Sequence, residues 1–270
     1  MLEFRILGPF EVVEQQRLVV LGGPRQRTLL AILLLRRGEV VSSDRLIDQL
    51  WGESPPATAA KTLQGYVSHL RKALGNDVLL TRSGGYVLAT APGQVDAERF
   101  EALAADARHA LAGGDAAGPR ALLGSALALW RGEALGDLAY EPFAQGEIAR
   151  LEEARLAALE DRIDVDLMLG QHRGVVGELE TLVGLHPHRE RLLGQLMLGL
   201  YRSGRHADAL DVYRRGRRAL ADELGLEPGA ELRALEQRIL THDPALDPPT
   251  PNAPAPRLAK RSPVMRGRAL

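Results

Sequence analysis

Residues 56–74 read PATAAKTLQGYVSHLRKAL, and this stretch decides how the rest of the chain is interpreted. Pro55 and Pro56 end the segment that precedes it. Thr58 is a candidate N-cap, because a threonine hydroxyl can accept a hydrogen bond from a free backbone N–H of the first helical turn. Apolar residues then recur at the spacing of one helical face, at Leu63, Val67, Leu70 and Leu74. The stretch therefore predicts an amphipathic helix.

The opposite face of this helix is polar and carries no acidic residue. At ~100° per residue, its centre holds Lys61, Gly65, Ser68 and Lys72, and its flanks hold Thr62, Gln64, His69 and Arg71. Basic, small and hydrogen-bonding residues without a carboxylate suit a helix that enters the major groove of DNA. A basic helix exposed only to solvent is the alternative, and for an isolated helix it is the preferred one. The surrounding elements favour DNA.

Two predicted helices and a small sheet precede the basic helix. Residues 2–6 alternate apolar and polar like a half-buried strand, and residues 10–13 and 18–21 predict further short strands. Residues 28–35 read TLLAILLL and are apolar almost all round, which indicates a buried helix. Ser42 or Ser43 then caps a second helix, whose inner face is formed by Leu46, Ile47, Leu50 and Trp51.

A hairpin is predicted after the basic helix. Residues 78–81 and 86–89 pair as strands around Arg82, Ser83 and two glycines. The order is therefore small sheet, buried helix, capped helix, loop, basic helix and a hairpin with an arginine at its tip, which is a winged helix-turn-helix. We favour DNA contact for Arg82 over a solvent-exposed turn. For His69, contact with a base edge and contact with only phosphate or water both remain open.

Composition excludes several classes of protein. A length of 270 residues favours two domains, and an apolar fraction of 45% supports real cores. The chain has no cysteine, which fits a reducing cytoplasm. It has no apolar run near the ~18–20 residues that span a bilayer and no signal-like N-terminus, so we expect a cytoplasmic location and no membrane partner.

Charge is distributed unevenly along the chain. Residues 1–92 carry 11 basic and 8 acidic residues, a net +3, whereas residues 93–246 carry 18 and 26, a net −8. Residues 247–270 carry 5 and 1, a net +4. A basic first part can approach a polyanion that the acidic middle part would repel, so the two parts are expected to have different partners.

The second half is predicted to be helical. Pro92 and Gly93 mark a boundary, after which residues 96–111, 119–130 and 146–169 predict helices. Gly170 and Gly204 are 34 residues apart, as are His172 and His206, and 34 residues is the tetratricopeptide period. We therefore assign residues 93–243 to an all-α helical repeat domain. Residues 244–270 are assigned to a proline-rich linker or tail, because residues 243–263 contain seven prolines and cannot pack a core.

Both halves resemble known families. The segments RLIDQLWGE (45–53), TLQGYVSHLRKAL (62–74) and TRSGGYVL (81–88) resemble the OmpR/PhoB type of winged helix. The segments FEALAADAR (100–108), LWRGEALGDL (129–138), SGRHADAL (203–210) and ADELGLEPGAELRALEQRIL (221–240) resemble the bacterial transcriptional activator domain. Joined in this order, they resemble the Streptomyces antibiotic regulatory protein family, including its AfsR-like members. The implied fold class is mainly α, with an N-terminal α+β winged helix followed by a tetratricopeptide-like repeat domain.

The resemblance also implies a function. Members of the family activate transcription of genes for secondary metabolites such as antibiotics. They bind tandem direct repeats near the promoter −35 element, self-associate on DNA, and contact RNA polymerase and its sigma factor. The third helix of such a winged helix lies in the major groove and the wing lies along the minor groove. The candidate DNA-binding residues are Lys61, Thr62, Gln64, Gly65, Ser68, His69, Arg71, Lys72, Arg82 and Ser83.

Other functional classes are less well supported by the sequence. A helical-repeat adaptor or ligand sensor, with a winged helix that does not bind DNA, is the alternative. An enzyme is disfavoured because no G-x-S-x-G, H-E-x-x-H or dinucleotide motif occurs. His186 and His188 flank a proline without nearby cysteines and suit a solvent-exposed connector better than a metal site. We therefore expect no catalytic residue, no metal and no cofactor.

Overall fold

The computed structural model describes residues 1–112 and 117–247. The chain divides into two units between Val165 and Asp166. The first unit contains the predicted winged helix and the helices that follow it. The second contains the predicted repeat.

The first unit begins with a three-stranded antiparallel sheet. Its strands, in the order β1-β2-β3, are Leu2–Arg5, Glu11–Glu14 and Arg17–Leu18. Leu2 is opposite Glu14, and Phe4 is opposite Val12. Because strand residues alternate between the two faces, Leu2, Phe4 and Val12 all enter the core.

Three helices and a second sheet form the winged helix. The helices are α1 (Pro24–Leu35), α2 (Ser43–Trp51) and α3 (Ala59–Leu74). The strands of the sheet are β4 (Val41–Ser42), β5 (Leu79–Arg82) and β6 (Gly85–Leu88), and their order in the sheet is β4-β6-β5. Helix α1 is buried from Thr28 to Leu34, after an exposed or half-buried first turn, as the apolar sequence of residues 28–35 predicts. The Ser42 hydroxyl accepts the N–H of Arg45 at 3.2 Å, which confirms the predicted cap of α2.

The start of α3 differs from the sequence prediction in one detail. Thr58 occupies the N-cap position, but its hydroxyl makes no capping hydrogen bond among the described residues. Its backbone is near-helical, with φ −94° and ψ 10°, whereas a side-chain cap needs extended backbone. The chain enters the helix through a turn in which the N–H of Ala59 donates to the carbonyl of Pro56 at 2.8 Å. The turn therefore replaces the side-chain cap.

Further helices belong to the same unit. They are α4 (Asp96–Ala112), α5 (Ala117–Leu127) and α6 (Pro142–Met168), whose last residues extend past the division. The segment between α5 and α6 binds the end of β1: the N–H of Arg131 donates to the carbonyl of Leu7 at 2.7 Å, and that of Leu135 donates to Ile6 at 2.9 Å. The sequence-based boundary at residue 92 thus separates elements that share hydrogen bonds, and the division between the two units falls further along the chain.

The second unit is built from helical pairs. Its helices are α7 (His172–Leu185), α8 (Glu190–Arg202), α9 (His206–Ala219) and α10 (Ala230–Leu240). Helices α7 and α9 begin 34 residues apart, at positions 172 and 206, in keeping with the repeat seen in the sequence. Helices α8 and α10 begin 40 residues apart, at positions 190 and 230, because a π-helical turn at Leu220–Leu224 and a loop lengthen the second connection. Gly216 allows α9 to pack closely on α8, since an added Cβ would lie 2.7 Å from Leu193 Cδ1.

The first residues of the predicted tail are packed. Pro244–Leu246 forms a 3-10 turn, and Leu246 is buried. Arg202 Nε donates to the carbonyl of Leu246 at 2.8 Å. The remainder of the predicted tail, residues 248–270, lies outside the described residues. None of the described helices has the length and apolar character needed to cross a membrane.

The predicted fold class is confirmed: the chain is mainly helical, with a small winged domain that contains strands and a helical repeat domain after it.

Candidate nucleic-acid interface

Helix α3 presents its polar face to solvent. Its apolar side is buried, and Leu63, Val67, Leu70 and Leu74 are all at most 6% exposed. Burial of such a stripe supplies most of the stability of a short helix. Because that apolar stripe is buried in the core, the opposite, polar face of α3 must point toward solvent.

The sequence-predicted residues occupy this face and the wing. The exposed ones are Lys61, Gln64, Gly65, Ser68, His69, Lys72, Arg82 and Ser83. Thr62 and Arg71 are half-buried. Gly65 faces open space, since a Cβ added there would meet no atom of the described residues within 4 Å. The helix backbone itself is therefore accessible at the middle of the face.

His69 lies at the side of α3 that faces the start of α1. Its Nε2 is 3.0 Å from the position that a Cβ on Gly22 would occupy. Gly22 has φ +90°, a conformation that favours glycine. The adjacent N–H of Gly23 donates to Gln26 Oε1 at 2.7 Å, which caps the start of α1. His69 thus lies beside this turn, at the edge of the polar face rather than at its centre.

An aromatic pair on the same side of α3 was missed by sequence reasoning. The rings of Trp51 and Tyr66 are stacked with centroids 6.1 Å apart, and the Arg25 guanidinium carbon lies 5.5 Å from the centroid of the Trp51 ring. Tyr66 is three residues before His69, so helical spacing places both on one flank. The three-residue spacing of Tyr66 and His69 could have been recognised in the sequence. The approach of Arg25, which comes from α1, could not have been predicted from it.

The wing is a hairpin with a two-residue loop. Arg82 is opposite Gly85, and Ser83 and Gly84 form the tip, with Gly84 at φ +82°. Gly85 is required for a different reason: a Cβ there would lie 2.1 Å from the carbonyl oxygen of Val41 in the neighbouring strand β4. Arg82 is exposed, and its Nη1 donates to the carbonyl of Thr81 at 3.2 Å. The arginine therefore stands at the end of the wing, where the sequence predicted it.

Arg71 is directed toward the wing. Its Nε donates to the carbonyl of Leu79 at 2.8 Å, and its Nη2 donates to Thr81 Oγ1 at 2.7 Å. Both acceptors lie on β5. The predicted interface residue thus makes its observed contacts within the protein.

The arrangement suits binding of a polyanion. Lys61 and Lys72 are exposed cations on one face, with Gln64 and Ser68 beside them as hydrogen-bonding groups. In residues 1–112 and 117–247, no group of three or more His, Cys, Asp or Glu side chains is placed to hold a metal ion. His188 instead lies beside a carboxylate, with its Nε2 3.0 Å from Glu223 Oε2.

Comparison with known proteins gives matches over both halves of the chain. The family model for the bacterial transcriptional activator domain matches residues 95–240. The family model described as transcriptional regulatory protein, C terminal, matches residues 16–88. The first match covers more than half of the chain.

Several regulatory proteins are similar in sequence. Regulatory protein DnrI of Streptomyces peucetius is 39% identical over 265 residues, covering 94% of this chain and 97% of that protein. Regulatory protein AfsR of Streptomyces griseus is 47% identical over 255 residues. The chain spans only about a quarter of the AfsR proteins that it matches, 26% of the one from Streptomyces griseus and 25% of the one from Streptomyces coelicolor.

A solved structure has the same fold. Mycobacterium tuberculosis EmbR in complex with a low affinity phosphopeptide superposes with a TM-score of 0.85 at 38% identity. The match covers 90% of this chain and 66% of that one. The relatives are transcriptional regulators, and their names describe no catalytic activity.

Proposed function

Because this chain belongs to the Streptomyces antibiotic regulatory protein family, we propose that it is a sequence-specific, DNA-binding transcriptional activator. The observation that carries the proposal is the exposed, carboxylate-free face of α3, backed by a buried apolar face and flanked by the wing. A helix of this kind fits the major groove, which admits an α-helix and displays a distinct pattern of donors and acceptors for each base pair.

Different residues of the interface carry different parts of the binding energy. Lys61 and Lys72 neutralise phosphates and release counterions, which supplies affinity for any sequence. Gln64, Ser68 and Thr62 hydrogen-bond base edges and supply sequence preference. His69 contacts a base edge or the adjacent phosphate. Gly65 permits close approach of the helix to the floor of the groove.

The wing supplies a second contact. Arg82 and Ser83 at its tip lie along the minor groove, where an arginine side chain is attracted by the negative potential. The wing and α3 together contact one face of the duplex at a single binding site. A family of this kind places one protomer on each of two direct repeats near the −35 element, which fits head-to-tail association better than a two-fold dimer on a palindrome.

The helical repeat domain acts after DNA binding. In this proposal it mediates self-association on DNA and contacts RNA polymerase and sigma factor, so that promoters for secondary metabolite genes are activated in the cytoplasm. The acidic balance of residues 93–246 supports a protein-binding rather than a DNA-binding role for this part.

The deciding experiment is a footprint of the full chain over the promoters near its own gene, with binding to non-specific DNA measured at the same salt concentration. We expect protection of two direct repeats and a specific affinity at least about a thousandfold above the non-specific one. Equal affinity for all sequences would refute sequence-specific activation and support the alternative, an adaptor or ligand sensor with a winged helix that does not read DNA.

A further inference from the structure

Arg71 connects the helix that we assign to the major groove with the strand that leads to the wing tip. It lies in the last turn of α3, and its half-buried guanidinium donates from Nε to the carbonyl of Leu79 at 2.8 Å and from Nη2 to Thr81 Oγ1 at 2.7 Å. The two acceptors are two residues apart on β5. A planar guanidinium that satisfies both has little freedom to rotate.

The edge position of β5 explains why the carbonyl of Leu79 is available to accept a hydrogen bond from Arg71. In the order β4-β6-β5, the part of the chain that the structure describes gives β5 a neighbouring strand on one side only. The carbonyl of Val78 accepts the N–H of Ala89 on the β6 side at 2.8 Å. Successive carbonyls of a strand point in opposite directions, so the carbonyl of Leu79 points away from β6, toward Arg71. The arginine satisfies a backbone acceptor that the sheet leaves without a partner strand.

Thr81 joins this contact to the wing tip. Its hydroxyl accepts from Arg71, and its backbone carbonyl accepts from Nη1 of the next residue, Arg82, at 3.2 Å. Arg71 from α3 and Arg82 from the wing thus both donate to Thr81, one to its hydroxyl and the other to its carbonyl. Loss of the Arg71 side chain would remove both of its hydrogen bonds to β5, the strand that ends at Arg82.

We propose that Arg71 is a positioning residue for the wing and not itself a DNA contact. It holds β5 and β6 at a fixed angle to α3, so that Arg82 reaches the minor groove when α3 occupies the adjacent major groove. The DNA part of this inference rests on the proposed function. The contact between α3 and the wing does not, because it is present in the protein without DNA.

The first test is a double-mutant cycle on promoter DNA with Arg71→Ala and Arg82→Ala, together with Arg71→Lys. If Arg71 acts through the wing, each alanine variant weakens binding by about tenfold, the lower range for loss of a charge-assisted hydrogen bond. The double variant then binds promoter DNA no more weakly than Arg71→Ala alone, because a displaced wing no longer makes the contact that Arg82→Ala removes. Arg71→Lys fails to restore affinity, since a single ammonium does not reproduce two donors in a fixed fork.

The salt dependence of binding gives the same distinction by another route. The slope of log affinity against log salt becomes shallower by about one for each lost phosphate contact. We expect this slope to become shallower by about one in the double variant Arg71→Ala/Arg82→Ala. In the matched control, Lys72→Ala/Arg82→Ala, it should become shallower by about two. Rescue by lysine, or effects of Arg71→Ala and Arg82→Ala that multiply, would overturn the proposal and make Arg71 a direct phosphate contact.

The second test needs no DNA. Hydrogen exchange of the free full chain is expected to show faster exchange of the β5 and β6 amides in Arg71→Ala and Arg71→Lys than in the wild type and Lys72→Ala, with α1 amides unchanged as the internal control. Thr81→Val removes one acceptor without removing a charge and should have the same effect. Unchanged wing amides in all three variants would refute the positioning role. Failure of the wild type to prefer promoter DNA would refute the proposed function alone, because the exchange measurement still decides the role of Arg71.

Discussion

The carboxylate of Asp96, the first residue of α4, accepts a hydrogen bond from the backbone N–H of Ile6 at 2.8 Å. Its second oxygen accepts the N–H of Leu7 at 3.1 Å, and Arg131 Nη2 lies 3.7 Å from the same oxygen. A residue from beyond the sequence-based domain boundary thus completes the hydrogen bonding at the end of β1. The N-terminal sheet and the first helices after the winged helix depend on each other for a finished core.

A fragment of residues 1–92 is expected to fold poorly. It lacks Asp96 and the segment around Arg131, so Ile6 and Leu7, at most 1% exposed in the whole chain, would face water. Exposure of apolar side chains of this size costs about 1.5–3 kcal/mol each, a large share of the stability of a small domain. Circular dichroism melts should show no cooperative transition for 1–92, or one at a much lower temperature than for 1–165. Equal melting temperatures for the two fragments would contradict this dependence.

The substitution Asp96→Asn should change the pH dependence of stability. Burial raises the pKa of Asp96, although hydrogen bonds from the N–H groups of Ile6 and Leu7 oppose the shift. Between its ordinary value of 3.8 and the higher value in the folded state, the folded protein binds more protons than the unfolded one. The contribution of Asp96 to the free energy of unfolding therefore falls as the pH rises through that window.

Urea denaturation of the wild type and Asp96→Asn at several pH values measures this effect. The difference in stability between the two proteins isolates Asp96 from the other carboxylates. At neutral pH, the asparagine variant should be less stable by about 1–3 kcal/mol, because its amide group faces one of the two backbone N–H donors. The free energy of unfolding of the wild type should increase relative to that of the variant as the pH falls through the window. A difference that does not change with pH would show that Asp96 titrates normally.

The sequence predicted the features of this chain that local pattern determines. The stripe from Leu63 to Leu74 is buried as its spacing requires, and Ser42 caps α2. The contacts of Asp96 and Arg71 were not predictable in the same way. Both depend on which backbone groups remain without a partner after distant segments pack together, and no spacing along the chain encodes that. Thr58 failed as a side-chain cap because the preceding turn fixed its backbone, a detail that residue type alone does not determine.

Lys61→Ala and Lys72→Ala should weaken DNA binding on all sequences. Both side chains are exposed on the polar face of α3, and each contact with a phosphate contributes about one to the slope of log affinity against log salt. We expect each variant to flatten that slope by about one and to leave the ratio of specific to non-specific affinity nearly unchanged. Fluorescence anisotropy at a series of salt concentrations provides the measurement. Arg218→Ala, an exposed arginine on α9, is the control and should bind like the wild type. Wild-type slopes in both lysine variants would disprove the assignment of this face to DNA.

Gly65→Ala should stabilise the protein and weaken its binding to DNA. A Cβ at this position meets no atom of the described residues, and replacement of glycine by alanine within a helix stabilises it by about 1 kcal/mol. If the backbone of α3 approaches the floor of the groove at Gly65, the added methyl group forces the helix outward and weakens the base contacts on either side of it. Affinity for promoter DNA should then fall several-fold more than affinity for non-specific DNA, which relies on phosphates.

Gly124→Ala is the matched control for this experiment. Gly124 is also an exposed helical glycine, in α5, and an added Cβ there also meets no described atom within 4 Å. Both variants should raise the melting temperature, but only Gly65→Ala should lose specific affinity. This combination separates close approach of the helix to DNA from a general effect of helix stability, because a glycine retained only for flexibility would give the same binding result at both positions. Specific binding by Gly65→Ala that equals the wild type would place the closest approach to DNA elsewhere on α3.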